Sequence, residues 1–359
     1  MIDKIENKPL IVISTYGHCA SDWLGNLLDS HDEILITPGL SFFRKLEHIK
    51  TQYQITLENL SINEIVNITV NKILKKSSFK SYNFFDNSKK KKIFKKYLKS
   101  YLINSIETNN KKKLFYGIHY SYAKLNNLNL NKIKVLITHE HAAWHCHNYL
   151  KLFNSKFLFI IRDPRATFAG SFRTFDRYHD FAKSHKLTVV LSFWLAATNF
   201  IKFNKKKNNV YVIKNEKINN NTKLEIKKIC KWMNINFKAI LLKPTILGKK
   251  WHGDSAYIQK FELKKKLPKN YYSKRNARKR WKSYLNDWEI LAIETLLEKT
   301  MNRYNYKLEN KLNIINKIKG YYNLLFMHTN NENFFTKIIS IIKNPIRRLL
   351  IIKFKFYIK

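Results

Sequence analysis

Residues 157–173 read FLFIIRDPRATFAGSFR, and the change of character within this stretch decides the fold. The first five residues are apolar and branched or aromatic, which indicates a strand buried on both faces of a parallel sheet. Arg162 ends the run, and Pro164 fits a sharp turn into a helix that we predict over residues 166–174. A strand, a charged turn and a helix in this order form the repeating unit of an α/β protein.

Three further apolar runs have the same length and character. They are LIVIS at residues 10–14, KVLIT at 134–138 and VYVIK at 210–214. Apolar residues recur at helical spacing in the stretches 21–30, 142–153, 188–203, 224–232 and 281–304. Strands that alternate with helices predict an α/β fold with a mainly parallel central sheet flanked by helices. In such sheets, ligands bind at the carboxyl ends of the strands.

Residues 41–134 interrupt this alternation. Amphipathic helical stretches at 62–74 and 93–106 are separated by runs rich in Lys and Asn, such as 89–92 and 109–113. The segment is predicted to be a helical insert in the α/β domain.

Three strand ends carry candidate residues for ligand binding or catalysis. TYGHCASDW (15–23) joins the first strand to a helix, and small residues at such a joint are typical of an anion-binding loop. Arg162 offers a planar fork of donors that suits a phosphate. His139 follows the strand 134–138 and is a candidate general base.

Each feature also has a plain structural interpretation. The loop 15–23 is compatible with an ordinary strand-to-helix joint, and Arg162 with a structural ion pair to an Asp. The Walker A pattern is missing, which disfavours a kinase with a conventional P-loop. Four histidines occur in THEHAAWHCH: His139, His141, His145 and His147. Because no HExxH spacing accompanies them, we expect no metal.

Taken together, these segments resemble the sulfotransferase family. RDPRA with a following serine closely resembles the family's 3′-phosphate motif, and IVIST followed by GHCASDWLGNLLDSHDEI resembles its 5′-phosphosulfate loop. VYVIKNEKI, PTILGKKWHGDS and the closing helix from RWKSYLNDW onward extend the similarity over residues 9–306. The resemblance implies a P-loop-like sulfotransferase fold in residues 1–306, with a basic C-terminal extension at 307–359.

The resemblance also implies an activity and a set of site residues. The chain would transfer a sulfuryl group from 3′-phosphoadenosine 5′-phosphosulfate (PAPS) to an acceptor hydroxyl or amine, with carbohydrate as a candidate acceptor. His139 would be the catalytic base, and His18 would stabilise the leaving phosphate. The residues implied in PAPS binding are Gly17, His18, Cys19, Ala20, Ser21, Asp22, Trp23, Arg162 and Ser171.

The loop departs from the family pattern. His18 stands where an Arg or Lys is usual, and Ser171 comes one position late. Ser, Gly and Thr of the pattern are replaced by Cys19, Ala20 and Asp22, and Asp22 adds negative charge beside a dianion. These departures keep a second hypothesis open, namely a degenerate sulfotransferase-like protein that binds polyanions without catalysis.

Composition adds weaker constraints. The formal net charge of +43 favours anionic partners, although heavy use of Lys, Asn and Ile throughout the 359 residues also fits a general composition bias. We expect no specific nucleic acid partner.

Three widely spaced cysteines indicate neither a disulfide framework nor a zinc site. No apolar run is long enough to span a membrane. A cytoplasmic enzyme is therefore predicted. Residues 338–359 mix apolar and basic residues, which suits either packing on the body or contact with an anionic membrane.

Overall fold

The structure is a computed structural model that describes nine segments of the chain. They are residues 3–15, 19–37, 39–74, 84–85, 87–175, 185–205, 208–246, 248–251 and 280–326.

Five parallel strands form the central sheet. In chain order they are β1 (Leu10–Ser14), β2 (Ile34–Ile36), β3 (Val135–Glu140), β4 (Lys156–Ile161) and β5 (Val210–Lys214), and their spatial order is β2-β3-β1-β4-β5. All residues of β1 and β3 are buried, as expected for strands covered on both faces. The four predicted strands and the α/β class are confirmed. The strand β2 was missed, because a three-residue run at a sheet edge is too short to show a pattern.

Helices flank this sheet and connect its strands. They are α1 (Asp3–Glu6), α2 (Ser21–Leu28), α3 (Phe42–Tyr53), α4 (Ile62–Ile68), α5 (Ser88–Asn104), α6 (Asn110–Leu125), α7 (Cys146–Phe153), α8 (Pro164–Phe175), α9 (His185–Asn204), α10 (Asn215–Asn220), α11 (Thr222–Met233), α12 (Asp287–Arg303) and α13 (Ile314–Phe326). A π-helical turn, Thr69–Ile73, continues α4, and 3-10 turns lie at Leu57–Asn59, Ala143–His145, Ala239–Leu242 and Arg280–Ser283. A two-stranded antiparallel ribbon pairs β6 (Thr245–Ile246) with β7 (Lys249–Lys250).

The described part of residues 41–134 is mainly helical, and it contributes to the core. Phe42 of α3, Phe94 of α5 and Phe115 of α6 are fully buried. The helices α5 and α6 approach closely at Gly117, where a Cβ would lie 2.9 Å from Leu98 Cδ1. The insert is therefore packed into the same core as the sheet.

The chain continues as folded structure beyond residue 306. Helix α13 packs along α12 so closely that a Cβ at Gly320 would lie 2.0 Å from Thr295 Oγ1. The residues 307–326, which we had assigned to the C-terminal extension, therefore contain a helix docked on the body, whereas 338–359 lie outside the described residues. Cys19, Cys146 and Cys230 are buried free thiols. Among the described helices, none has the length and apolar character to cross a membrane.

Candidate active site

The carboxyl ends of β3, β1 and β4 meet at one edge of the sheet. Two side chains at the end of β1 link the three strands: Ser14 Oγ donates to the Glu140 carbonyl at 3.1 Å, and Oγ1 of Thr15, the residue after β1, donates to the Ile160 carbonyl at 3.2 Å. The three strand ends selected from the sequence thus converge in space, as a parallel sheet requires.

The loop after β1 is fixed from two sides. The Asn215 side-chain amide, at the end of β5, donates to the Cys19 carbonyl at 2.9 Å. Cys19 Sγ lies 3.7 Å from Thr167 Oγ1 of α8. Ala20, at the amino end of α2, has a left-handed backbone with φ of 66°. The remaining loop predictions, Gly17 and His18, lie outside the described residues.

The first turn of α2 divides its side chains between the core and the edge. Ser21 and Trp23 are buried, and Trp23 belongs to the hydrophobic core. Asp22 is partly exposed, and its Oδ1 lies 3.3 Å from His139 Nδ1. The carboxylate that looked unfavourable beside a dianion is therefore paired with the candidate base.

His139 lies inside β3, which corrects the prediction that it directly follows the strand. The strand continues to Glu140, and His139 pairs in register with Ile13 of β1. Its Nε2 is buried and has no hydrogen-bond partner among the described residues. The ring also contacts the His141 ring, with 4.2 Å between the centroids. A histidine within a central strand is held more firmly than one in a loop.

Three of these side chains are a candidate metal set. The ligand atoms of Asp22, His139 and His141 all lie within 4.8 Å of one another. A tetrahedral zinc ion lies about 2.0–2.1 Å from each ligand atom, which places the ligand atoms roughly 3.3 Å from one another. Binding of a metal would therefore require these three side chains to move closer together. The other two histidines of THEHAAWHCH lie elsewhere: His145 pairs with Glu47 at 3.1 Å, and His147 contacts Phe200.

Glu140 is a titratable group that sequence reasoning missed. It follows His139 on the strand and is fully buried, accepting hydrogen bonds from the Ala142 amide at 3.3 Å and the Tyr149 hydroxyl at 3.4 Å. Burial raises the pKa of this carboxyl to about 7. A carboxylate within a run of strand residues was the available signal, since such groups are costly to bury.

Arg162 begins the charged turn after β4. Its carbonyl accepts a hydrogen bond from the Trp194 indole at 3.2 Å, which ties the turn to α9. The next amide, of Asp163, donates to Glu216 Oε1 at 3.0 Å. Glu216 also accepts from the Tyr306 hydroxyl at 3.2 Å, and burial raises the pKa of this carboxyl. The backbone of the turn is thereby held from α9 and α10.

Arg165 is the structural arginine of the RDPRA motif. Its guanidinium donates to Asp163 through Nε at 3.0 Å and Nη2 at 2.7 Å, and to Glu294 of α12 through Nη1 at 2.5 Å. It also donates to the Lys307 carbonyl at 2.9 Å and lies over the Trp281 ring. Arg165 thus makes a structural Arg–Asp pair of the kind that the sequence suggested for Arg162. The sequence could not show the other partners of Arg165, because Glu294 and Lys307 are far from it in the chain.

The structure brings together Cys19–Trp23, His139 and Arg162 at one sheet edge. Ser171 lies on α8, which starts from the same edge, but its side chain lies outside the described part of the structure.

The fold has counterparts among solved structures. The sulfotransferase domain from the curacin biosynthetic pathway superposes with a TM-score of 0.52 at 16% sequence identity, over 84% of this chain and 99% of that domain. The sulfotransferase domain from the Synechococcus PCC 7002 olefin synthase gives 0.44 at 14% identity (78% of this chain, 90% of that one). Sulfotransferase STF9 from Mycobacterium avium gives 0.41 at 11% (85% and 78%). No protein-family model and no curated protein sequence matches the chain.

Proposed function

We propose that this chain, which has a sulfotransferase fold, transfers a sulfuryl group from PAPS to an acceptor hydroxyl or amine. The observation that carries the proposal is the convergence of the α2 amino end, His139 and Arg162 at the carboxyl edge of one parallel sheet. The fold is shared with the curacin sulfotransferase domain over nearly that whole domain.

The nucleotide would be held at its 3′-phosphate by Arg162 and Ser171. The backbone around Arg162 is fixed by Trp194 and Glu216, so the guanidinium extends from a rigid turn. A rigid donor fork loses little entropy when it binds a phosphate through two hydrogen bonds.

The 5′-phosphosulfate would lie against the loop from Gly17 to Trp23. Backbone N–H groups at the amino end of α2 suit an anion, and His18 would stabilise the phosphate that leaves. Because Cys19 and Trp23 are buried, we propose that their side chains support the loop by packing and that backbone amides of the loop bind the anion.

The transfer would use His139 as base. The acceptor oxygen or nitrogen forms a bond to sulfur while the bond from sulfur to the phosphate oxygen breaks, and that electron pair leaves on 3′-phosphoadenosine 5′-phosphate (PAP). The acceptor proton passes to His139. We propose no metal for this step, because backbone N–H groups and nearby cations stabilise developing charge.

The test is a comparison of ligands. We expect PAP to bind in isothermal titration calorimetry at about 150 mM salt, and ATP and adenosine 5′-phosphate to bind at least about tenfold more weakly, because they lack the 3′-phosphate. Equal binding of all three, fading together as salt rises, would instead support the polyanion-binding hypothesis. PAP binding without turnover of any acceptor would support a degenerate enzyme.

The base is tested separately. His139→Ala should reduce sulfuryl transfer by about 100-fold or more, since general base catalysis contributes roughly 10²–10⁴-fold. Full turnover of His139→Ala with PAPS and a competent acceptor would remove His139 from the mechanism.

The acceptor and the location of the enzyme are also proposals. We propose a carbohydrate acceptor, because a protein with a net charge of +43 suits an anionic glycan. We also propose a cytoplasmic location and no specific nucleic acid partner.

We propose that residues 338–359 contact anionic membranes. Helix α13, which leads towards that segment, exposes Ile314, Ile315 and Ile318. Sedimentation of the protein with vesicles of phosphatidylserine, but not of phosphatidylcholine, is the expected result.

A further inference from the structure

We infer that Asp22 is the positioning residue for His139, holding the imidazole with its proton on Nδ1 and its lone pair on Nε2. The inference rests on the proposed function and deepens it. It concerns a residue that the sequence suggested only as a PAPS-binding position.

The two residues come from elements that both contact β1. Asp22 lies in the first turn of α2, the helix that follows β1, and His139 pairs in register with Ile13 of β1. The neighbouring position of β3 is fastened to β1 as well, because Ser14 Oγ donates to the Glu140 carbonyl. The approach of Asp22 Oδ1 to His139 Nδ1, at 3.3 Å, is thus set by the sheet.

The burial of the pair is asymmetric. The His139 side chain is 9% exposed and that of Asp22 is 29% exposed. A neutral imidazole has one N–H donor and one acceptor nitrogen, and the partner of one nitrogen decides the role of the other. Because a carboxylate only accepts, Asp22 selects the form with Nδ1–H.

The second nitrogen then has the character of a base. His139 Nε2 is buried, and among the described residues it has no hydrogen-bond partner. A buried acceptor without a partner is costly unless a ligand satisfies it. An acceptor hydroxyl or amine donating to Nε2 would do so, and this is the proton that the proposed reaction removes.

The neighbouring groups favour this interpretation over a metal. His141 contacts His139 ring to ring, at 4.2 Å between the centroids and 46° between the planes. A metal held by all three residues would need their ligand atoms, now within 4.8 Å, to come to roughly 3.3 Å of one another. The pair of Asp22 and His139 is already near hydrogen-bonding distance, and such contacts often shorten when substrate binds.

The first experiment reads the tautomer without substrate. Two-bond ¹H–¹⁵N correlation spectra of the ¹⁵N-histidine-labelled full chain should show His139 protonated on Nδ1. In Asp22→Asn the amide can donate to Nδ1, so the proton should move to Nε2. Asp32→Asn is a matched control, because it makes the same change in an exposed aspartate whose Oδ1 lies 3.7 Å from another histidine nitrogen, His31 Nδ1. This control variant should leave the His139 signals unchanged. A wild-type proton on Nε2, or identical spectra for Asp22→Asn, would overturn the inference.

The second experiment separates positioning from binding. Asp22→Asn should lower kcat by about 10²–10⁴-fold, the range seen when a base is left in the wrong tautomer, and change KM for PAPS and Kd for PAP by less than about threefold. Asp22→Glu should recover part of the kcat, while Asp32→Asn should retain all of it. A fall in PAP affinity that accounts for the whole loss would assign Asp22 to nucleotide binding instead.

Two outcomes keep this inference distinct from its alternatives. If a chelator lowers wild-type kcat as far as Asp22→Asn does, and Zn²⁺ restores it, Asp22 is a metal ligand and the inference is wrong. If no sulfuryl transfer is found at all, the proposed function fails, and the tautomer spectra still decide whether Asp22 sets the state of His139.

Discussion

The end of β4 and the joined ends of β1 and β3 lie at the same sheet edge but are built differently. At the end of β4, Arg165 is surrounded by Asp163, Glu294 and the Lys307 carbonyl, and Glu294 in turn accepts from the amides of Glu309 and Asn310. At the ends of β1 and β3, one contact between the Asp22 carboxylate and the His139 imidazole carries the proposed chemistry.

The difference predicts different responses to substitution in the two regions. A buried charge network loses stability when one member is removed, so substitutions of Arg165 should destabilise the fold. In the loop 15–23, the proposed chemistry depends on one carboxylate–imidazole contact. Four predictions test this contrast, from the largest expected effect to the smallest.

Removing Arg165 should have the largest effect. Arg165→Ala leaves Asp163 and Glu294 buried without their cation, so we expect the free energy of unfolding to fall by about 3–5 kcal/mol in urea titrations. Lys238→Ala breaks an exposed pair with Asp32, at 2.6 Å, and should cost less than about 1 kcal/mol. Equal losses in both variants would remove the claimed contrast.

The buried carboxyl at the β3 end should make stability depend on pH. The pKa of Glu140 is about 7 in the folded chain against 4.5 as the ordinary value, so the folded state holds its proton more tightly. The stabilisation of the folded state by this bound proton is fully present below pH 4.5 and is lost as the pH rises to 7. The free energy of unfolding should therefore fall by roughly 2–3 kcal/mol between pH 5 and pH 8. Glu140→Gln should lack that loss, and other groups cancel in the comparison. A constant difference between wild type and variant across this range would contradict the prediction.

Arg162 should affect binding more than stability. Arg162→Ala should weaken PAP binding by about 10–100-fold, the value of a charge-assisted contact, and should lower the unfolding free energy by less than Arg165→Ala does. Lys99→Ala, which removes an exposed cation from α5, is the charge-matched control and should bind PAP normally. If Arg162→Ala unfolds as readily as Arg165→Ala, the two arginines share one structural role.

The loop should tolerate glycine in place of Ala20. Ala20 has φ of 66°, a conformation that costs a residue with a Cβ roughly 1–2 kcal/mol, partly offset by the flexibility of glycine in the unfolded chain. Ala20→Gly should therefore raise Tm by about 1–2 °C in calorimetry. The same change at Ala196, in the regular helix α9, should lower Tm. A lower Tm for Ala20→Gly would show that the methyl group packs favourably.

The sequence predicted most of the sheet. Four apolar runs correspond to four strands, because a strand buried on both faces has no polar alternation to obscure it. The parallel order of these strands also predicted that Arg162 and His139 lie at the same edge of the sheet, while their roles stay predictions. Gly17 and His18 stay predictions, as does the role of Ser171.

Pairings between distant segments were beyond the reach of the sequence. Asp22 and His139 are separated by the whole helical insert, and Arg165 and Glu294 are 129 positions apart in the chain. Charge alone suggested that Asp22 would repel the ligand. Its pairing with His139 depends on strand register, which local pattern does not specify.

The link between Arg165 and Lys307 has a consequence for how the chain is made. The two residues are 142 positions apart, so at about 5–20 residues per second the ribosome adds the partner roughly 7–28 s after the arginine. During that interval the charged turn has Asp163 beside it, while α12 and the Lys307 loop do not yet exist. The charged turn after β4 is therefore completed only after Lys307 has been added to the chain.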